Sequence, residues 1–169
     1  MKRDWEYGIC KKLIDEETLQ KRIQELGEQI TNDYKDTEET LIVVGLLKGS
    51  LLFMADLIRE IKIPLTIDFM EISSYGDEFE TSREVRILKD LEGSIMGKNI
   101  LVVEDIIDSG LTLKKVLKML GGRGPKSVSL CTLLDKKERR QADIEVQYVG
   151  FEIPDEFVLG YGLDYKQEY

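Results

Sequence analysis

The sequence has no histidine, and its only cysteines, Cys10 and Cys131, form no CxxC motif. This composition excludes a zinc site built on histidine and cysteine pairs, and it excludes a nucleophile activated by histidine. Free thiols are typical of a reducing compartment. The longest apolar run, Leu41 to Leu47, is far too short to span a bilayer. We therefore expect a cytoplasmic protein that does not enter a membrane.

Positively charged residues are also fewer than negatively charged ones. The chain has 24 Lys and Arg residues against 33 Asp and Glu residues, which gives a formal net charge of -9. Such an acidic chain argues against a surface that follows nucleic-acid phosphates, so we expect no nucleic-acid partner. Its 169 residues, of which 42% are hydrophobic, are enough to bury one core. We predict a single domain over residues 1–169.

Hydrophobic periodicity alternates between helix and strand patterns, which predicts an α/β fold with a doubly wound, mostly parallel sheet flanked by helices. The predicted helices cover residues 14–34, 50–61 and 112–120. The predicted strands cover residues 41–47, 65–71, 84–89, 127–134, 146–150 and 157–160, together with one that starts at residue 100. A polar segment, 73–86, separates two of them. In such a sheet the ligand lies at the carboxyl ends of the strands.

The most informative segment is ILVVEDIIDSGLT, residues 100–112. Glu104 and Asp105 are predicted at the end of its strand, and a helix start with unpaired amides follows, which is a favourable place for phosphate. Carboxylates beside a phosphate turn suit a sugar phosphate, whose hydroxyls or hydrated divalent cation they can hold. The residues of the turn are Asp108, Ser109, Gly110, Leu111 and Thr112.

Capping alone could also explain Asp, Ser and Gly at a strand-to-helix turn. The apolar Ile106 and Ile107 favour the functional interpretation, because a solvated turn has no use for them between its acids. A loop packed over the edge of the sheet would bury both isoleucines and direct the three carboxyl groups to one side.

Lys48, Gly49 and Ser50 follow the strand at 41–47. We predict Ser50 as the N-cap of the next helix, which places the Lys48 cation beside the positive end of a helix dipole. That placement is unfavourable unless a polyanion binds there, so the motif indicates a diphosphate site. A lysine that simply points into solvent is the alternative.

Several motifs in order make the chain resemble the hypoxanthine-guanine phosphoribosyltransferase family in its short bacterial form. They are LLKGS, SSYG, VVEDIIDSGLT, LLDKKERR and GFEIPDEFVLGYGLDY, within about Leu41 to Tyr165. The resemblance implies a type I phosphoribosyltransferase fold, with a core at about 40–135 and a small hood from about 1–15 and 136–169. It implies transfer of ribose 5-phosphate from phosphoribosyl pyrophosphate to N9 of hypoxanthine or guanine, which gives IMP or GMP and pyrophosphate.

The resemblance also assigns the residues that hold phosphoribosyl pyrophosphate. Lys48 and Gly49 match a pyrophosphate loop that often contains a non-proline cis peptide. Glu104 and Asp105 match the acids at the ribose hydroxyls, and residues 108–112 match the 5-phosphate loop. Mg2+ is the implied cofactor, carried by pyrophosphate.

On the base side, Asp108 is implied to face N7 of the purine and to act as general acid or base. Asp164, with Glu104 and Asp105, is implied to contact the magnesium ion, and Ser74 and Tyr75 match a lid loop over the reacting centre. The implied purine contacts are Lys136 at the exocyclic oxygen, Phe157 stacked on the ring and Val158 at the base edge.

Each of these base-side residues also has an ordinary interpretation. Lys136 lies in a charge run that is typical of a solvated turn, Phe157 alone would be a core residue, and Asp164 could simply stabilise a turn. In the family an arginine and a final strand follow GLDY, whereas this sequence continues KQEY. Either the sequence is shortened, or Lys166 or a neighbouring subunit supplies the cation.

The family usually forms homodimers or homotetramers, and we expect the same here. Two other functions stay open. One is a regulator with this fold that binds nucleotides and RNA without efficient turnover. The other is a phosphate-binding, Rossmann-like module without catalysis.

Overall fold

The computed structural model describes residues 11–75 and 84–163. Within them the helices are α1 (Glu16–Tyr34), α2 (Leu51–Glu60) and α3 (Leu111–Gly121), and a short 3-10 helix covers Lys137–Arg139. The strands are β1 (Leu41–Leu47), β2 (Leu65–Tyr75), β3 (Glu84–Lys89), β4 (Asn99–Ile107), β5 (Ser127–Asp135) and β6 (Tyr148–Glu152). No helix in these ranges has the length and apolar character that crossing a membrane requires.

The strands form one sheet in the order β3-β2-β1-β4-β5-β6. Only the β2–β3 pair is antiparallel, and the other four pairs are parallel. The prediction of a doubly wound, mostly parallel sheet is therefore confirmed. The chain runs outward from β1 to β2 and β3 and then returns to β4, so β1 and β4 flank the point where the winding reverses. Ligands of such sheets bind outside the carboxyl ends of the strands at this point.

Helices cover both faces of the sheet. Ile23, Leu26 and Ile30 of α1 are buried at helical spacing and pack, with α2, on one face. The other face is covered by α3, whose buried side chains join a second cluster. Strand β1 is apolar along its whole length because it contributes to both clusters, as a central parallel strand does.

Strand β2 continues past its predicted end to Tyr75. The backbones of Ser74 and Tyr75, which were predicted in a lid loop, pair with Val85 and Glu84 of β3. This part of the sheet is an antiparallel edge, where polar residues can alternate with apolar ones, so its polarity misled the loop prediction. The intervening residues 76–83 lie outside the described residues.

The last part of the chain also differs from its prediction. Strand β6 lies two residues later than the predicted 146–150 and joins β5, so the sheet extends into the segment assigned to the hood. The predicted strand at 157–160 is wrong, because only an isolated bridge, Gly160 to Leu163, forms there. Gly160, Tyr161 and Gly162 have φ of 94°, 53° and 88°, and this left-handed backbone cannot continue a strand.

Candidate active site

The carboxyl ends of β1, β4 and β5 lie side by side, and each carries predicted site residues. Lys48 and Gly49 follow β1, while Lys136 follows β5. The backbone N–H of Lys136 donates to the carbonyl of Ile107 at 3.0 Å, which joins the ends of β4 and β5. The fold therefore brings three segments that are far apart in the sequence to one edge of the sheet.

The turn after β4 leaves the start of α3 without a side-chain cap. Gly110 occupies the N-cap position with φ of 74°, and it has no side chain that could accept a hydrogen bond. The carbonyl of Ser109 accepts from the backbone N–H groups of Gln141 at 2.9 Å and Ala142 at 3.0 Å, which holds the turn in place. The first-turn amides and the positive end of the helix dipole can therefore bind an anion.

An open pocket of about 170 Å³ lies in front of this helix start. Its polar walls come from the acid of β4 and from the turn, and its apolar walls come from β2, β4 and α3. The lining residues are Ile72, Glu104, Ile106, Ile107, Asp108, Ser109, Gly110, Thr112 and Leu113.

Glu104 and Asp105 lie inside β4 and not at its end, because the strand continues through Ile107. Val103 packs in one core cluster, and in a regular strand Ile107 would face the same way, yet Ile107 packs in the opposite cluster. The alternation of side chains therefore changes phase at the two acids. The prediction that both isoleucines lie in a loop is wrong, although Ile107 is buried as expected.

The carboxylate of Asp105 packs directly against Gly49. A Cβ atom on Gly49 would lie 1.8 Å from Oδ2 of Asp105, so no other residue fits this position without displacing the acid. The other oxygen, Oδ1, accepts from the N–H of Ile106 at 2.8 Å. The Leu47–Lys48 peptide is cis, as the resemblance implies.

Ser50 is the N-cap residue of α2, as predicted, but its side chain makes no capping hydrogen bond. Its hydroxyl is buried and donates to the carbonyl of Leu46 at 2.6 Å, so its oxygen faces the end of β1 and not the helix amides. Lys48 is exposed, and across residues 11–75 and 84–163 its ammonium group has no ion pair or hydrogen bond. An exposed cation beside an uncapped helix start suits a polyanionic ligand.

Burial raises the pKa of Glu104 well above its usual value, and the neighbouring carboxylate of Asp105 raises it further. An oxygen of Glu104 also accepts from the backbone N–H of Asp105 at 3.1 Å, which favours the charged form but does not outweigh burial. Within the described ranges, no three Asp, Glu, Cys or His residues cluster closely enough to hold a metal ion. This acid pair therefore fits a ribose diol, or a cation that brings other ligands with it.

Among the residues implied to contact the purine, Lys136 directly follows β5. Lys136 is only 6% exposed, so its interpretation as part of a solvated turn is wrong. Phe157 is 69% exposed, so it is not a core residue. Val158 is partly buried against the first core cluster. Asp164 and Lys166 lie outside the described residues.

Two further charged residues join this group, and the sequence interpretation missed both. The Arg139 guanidinium lies 3.1 Å from Oδ1 of Asp108 through Nε, and 3.4 Å from Oδ1 of Asp155 through Nη1. The Nζ atom of Lys136 lies 3.8 Å from the same Asp155 oxygen. Arg139 belongs to a charge run, which was the only available signal, and no spacing rule connects it with a residue 16 positions away.

Replacement of Glu104 by Gln should stabilise the unliganded protein, and more at pH 8 than at pH 4. Because the folded pKa lies above the unfolded one, the unfolded state loses its proton first as pH rises, and stability falls until the folded state ionises as well. Glutamine removes this loss. Urea unfolding in metal-free buffer measures the difference. The exposed Glu145→Gln is the control, and an equal gain at both pH values would contradict the expectation.

The phosphoribosyl transferase domain model matches residues 11–166 of this chain. Among curated proteins, the hypoxanthine phosphoribosyltransferase of Salmonella typhimurium is 57% identical over 157 residues, which cover 93% of this chain and 88% of that protein. The hypoxanthine-guanine phosphoribosyltransferase of Bacillus subtilis is 51% identical over 163 residues, which cover 96% of this chain and 89% of that protein.

Among solved structures, a hypoxanthine phosphoribosyltransferase from Staphylococcus aureus superposes with a TM-score of 0.93 at 48% identity. The match covers 100% of this chain and 91% of that one. The sequence motifs, the order of the strands and these similarities agree, and the chain belongs to the hypoxanthine-guanine phosphoribosyltransferases of the phosphoribosyl transferase domain family.

Proposed function

We propose that this protein is a pentosyltransferase of purine salvage, which moves ribose 5-phosphate from phosphoribosyl pyrophosphate to N9 of hypoxanthine and of guanine. The observation that carries the proposal is the close packing of the Asp105 carboxylate on Gly49. This contact holds a ribose-binding acid beside the pyrophosphate loop, so the bond between ribose and pyrophosphate would lie next to both. We place the reaction in the cytoplasm and expect a homodimer or homotetramer.

The phosphate ends of the substrate would bind at two helix starts. The 5-phosphate accepts hydrogen bonds from the amides at the uncapped start of α3 and from the hydroxyls of Ser109 and Thr112, both of which line the pocket. Pyrophosphate lies at Lys48 and Gly49, where the exposed ammonium group stabilises the negative charge that develops as it leaves. Glu104 and Asp105 accept hydrogen bonds from the ribose hydroxyls between these two ends.

Magnesium is the proposed cofactor, bound together with pyrophosphate. When bound, the ion would neutralise charge on the leaving group. Glu104 and Asp105 are the described acids that fit it, and Asp164 is the third proposed contact. Two neighbouring carboxylates do not form a complete oxygen cage, which fits an ion that takes its other ligands from the substrate and from water.

The purine would lie between the end of β5 and the segment that carries Phe157. The Lys136 ammonium group donates to the carbonyl oxygen at C6, and the exposed Phe157 ring stacks on the base. Val158 contacts the base edge through its backbone. Asp108 faces N7 and acts there as general acid or base, while N9 forms its bond to the ribose carbon and pyrophosphate leaves.

Water must be kept from the reacting ribosyl carbon, and we propose Ser74 and Tyr75 as part of the lid that excludes it. Glu71 of β2 pairs with Leu47, the last residue of β1. The backbone of Ser74 and Tyr75 therefore extends past the end of β1, on the side of the sheet edge where pyrophosphate would bind. An assay with purine, phosphoribosyl pyrophosphate and magnesium separates this enzyme from a regulator that binds without turnover.

The proposed reaction leads to an expectation about the choice of base. An ammonium group donates hydrogen bonds and accepts none, so Lys136 suits the carbonyl oxygen of hypoxanthine or guanine and opposes the amino group of adenine. Sites built on such a bond can discriminate by about 10⁴-fold, so adenine should be a negligible substrate. Lys136→Ala should lose turnover of both 6-oxopurines, whereas Lys137→Ala, at an exposed neighbour, should not. Efficient use of adenine would exclude this role of Lys136.

Replacement of Asp108 by Asn tests its proposed role as general acid or base. The amide keeps the shape of the side chain but cannot take the proton, so kcat should fall by roughly 10²-fold or more. The KM for phosphoribosyl pyrophosphate should stay nearly unchanged. Asp143→Asn, at an exposed acid, is the control. An equal loss in both parameters would reassign Asp108 to the structure of the phosphate turn.

Gly49→Ala tests the contact that carries the proposal. The new Cβ would overlap the Asp105 carboxylate, so the acid or the loop must move. A displacement that weakens substrate binding by about one to two kcal/mol would raise the KM for phosphoribosyl pyrophosphate about 10-fold. Gly93→Ala is the matched control, since an added Cβ there meets no atom within 4 Å. An unchanged KM in Gly49→Ala would remove the contact from the argument.

A further inference from the structure

Asp155 is shared by two cations that reach different parts of the proposed purine site. Its Oδ1 lies 3.8 Å from Nζ of Lys136 and 3.4 Å from Nη1 of Arg139. Arg139 in turn places Nε 3.1 Å from Oδ1 of Asp108. A continuous line of alternating charges therefore runs from Lys136 through Asp155 and Arg139 to Asp108.

We propose that Asp155 is a positioning residue for purine recognition, which holds the Lys136 ammonium group and, through Arg139, orients the Asp108 carboxylate toward the base. The inference rests on the proposed function, because it takes Lys136 as the donor to the base oxygen and Asp108 as the group at N7. It adds a residue that contacts neither the phosphates nor the ribose.

The burial of Lys136 requires a nearby negative charge. Only 8% of its side chain is exposed, and a buried ammonium group is costly unless an opposite charge compensates it. Asp155 supplies that charge at a distance longer than a hydrogen bond. Among the described residues the Lys136 ammonium makes no hydrogen bond, so Asp155 stabilises the charge while the donors stay available for a carbonyl oxygen.

The backbone holds Asp155 beside this lysine. The N–H of Ile153 donates to the carbonyl of Asp135, the residue before Lys136, at 2.9 Å. A tight turn follows, in which the N–H of Glu156 donates to the carbonyl of Pro154 at 2.7 Å. The position of the Asp155 carboxylate is therefore tied to the end of β5.

The contact between Arg139 and Asp108 is the weaker part of this line of charges. Its side chain is 52% exposed and that of Asp108 is 50% exposed, so water screens the contact and its energy is small. The guanidinium engages Oδ1 of Asp108, which leaves Oδ2 for the purine. An exposed contact of this kind can orient a carboxylate without holding it so firmly that it cannot follow the base.

Asp155→Asn, compared with Glu156→Gln, tests the proposal. The neighbouring Glu156 is an exposed acid that pairs with Lys11, so its variant makes the same change of charge outside the purine site. In Asp155→Asn, kcat/KM for hypoxanthine should fall by at least about 10-fold, and the preference for hypoxanthine over adenine should become smaller. The KM for phosphoribosyl pyrophosphate should stay within about two-fold of the wild-type value. Asp155→Glu should recover part of the loss.

Calorimetry with IMP provides a readout that does not need turnover. Asp155→Asn should weaken IMP binding about 10-fold in the wild-type background and much less in Lys136→Ala, because coupled residues are not additive. Wild-type protein that binds IMP but converts no hypoxanthine would overturn the proposed function and leave this binding test valid. Equal effects of Asp155→Asn and Glu156→Gln, or additive effects with Lys136→Ala, would overturn the role of Asp155.

Discussion

The site depends on how closely the ends of β1 and β4 approach where the winding of the sheet reverses. Gly49 has no side chain, and the Asp105 carboxylate fills the volume that a Cβ would need. Gly162, in the segment after β6, also packs against Gly49, since a Cβ added to Gly162 would lie 3.0 Å from the carbonyl oxygen of Gly49. One glycine is therefore in contact with two segments that are remote in sequence, and its lack of a side chain sets the spacing between them.

This close packing has an electrostatic cost that the protein itself does not remove. Glu104 and Asp105 lie side by side, and burial together with the neighbouring charge raises the pKa of Glu104. Lys48 is exposed near the uncapped start of α2. A ligand with hydroxyl groups for the acids and phosphates for the cation would relieve both conditions at once. Such local conflicts between stability and arrangement are typical of binding sites.

The arrangement proposed to hold phosphate and ribose could be recognised from the sequence because it is local: residues 100–112 contain a strand, two acids and a helix start in immediate succession. Strand β1 was equally predictable, since its apolar run has only one plausible place in a parallel sheet. The phase change of β4 at its two acids could not be predicted, because two adjacent isoleucines do not reveal which core cluster each one joins. The same holds for Arg139 and Asp155, which only the folded chain brings together.

This difference in origin has a consequence for specificity. The phosphate half is built from backbone amides, a glycine contact and buried strands, so a change there disturbs the sheet itself. The base half is built from side chains that follow β5 and β6, and two of its charged members, Arg139 and Asp155, are about half exposed. Substitution of Arg139 should cost little stability, whereas loss of the Asp155 charge would leave the buried Lys136 ammonium group uncompensated. With the roles proposed above, the choice of base could change without altering the binding of phosphoribosyl pyrophosphate, because the two halves share the edge of the sheet but rest on different interactions.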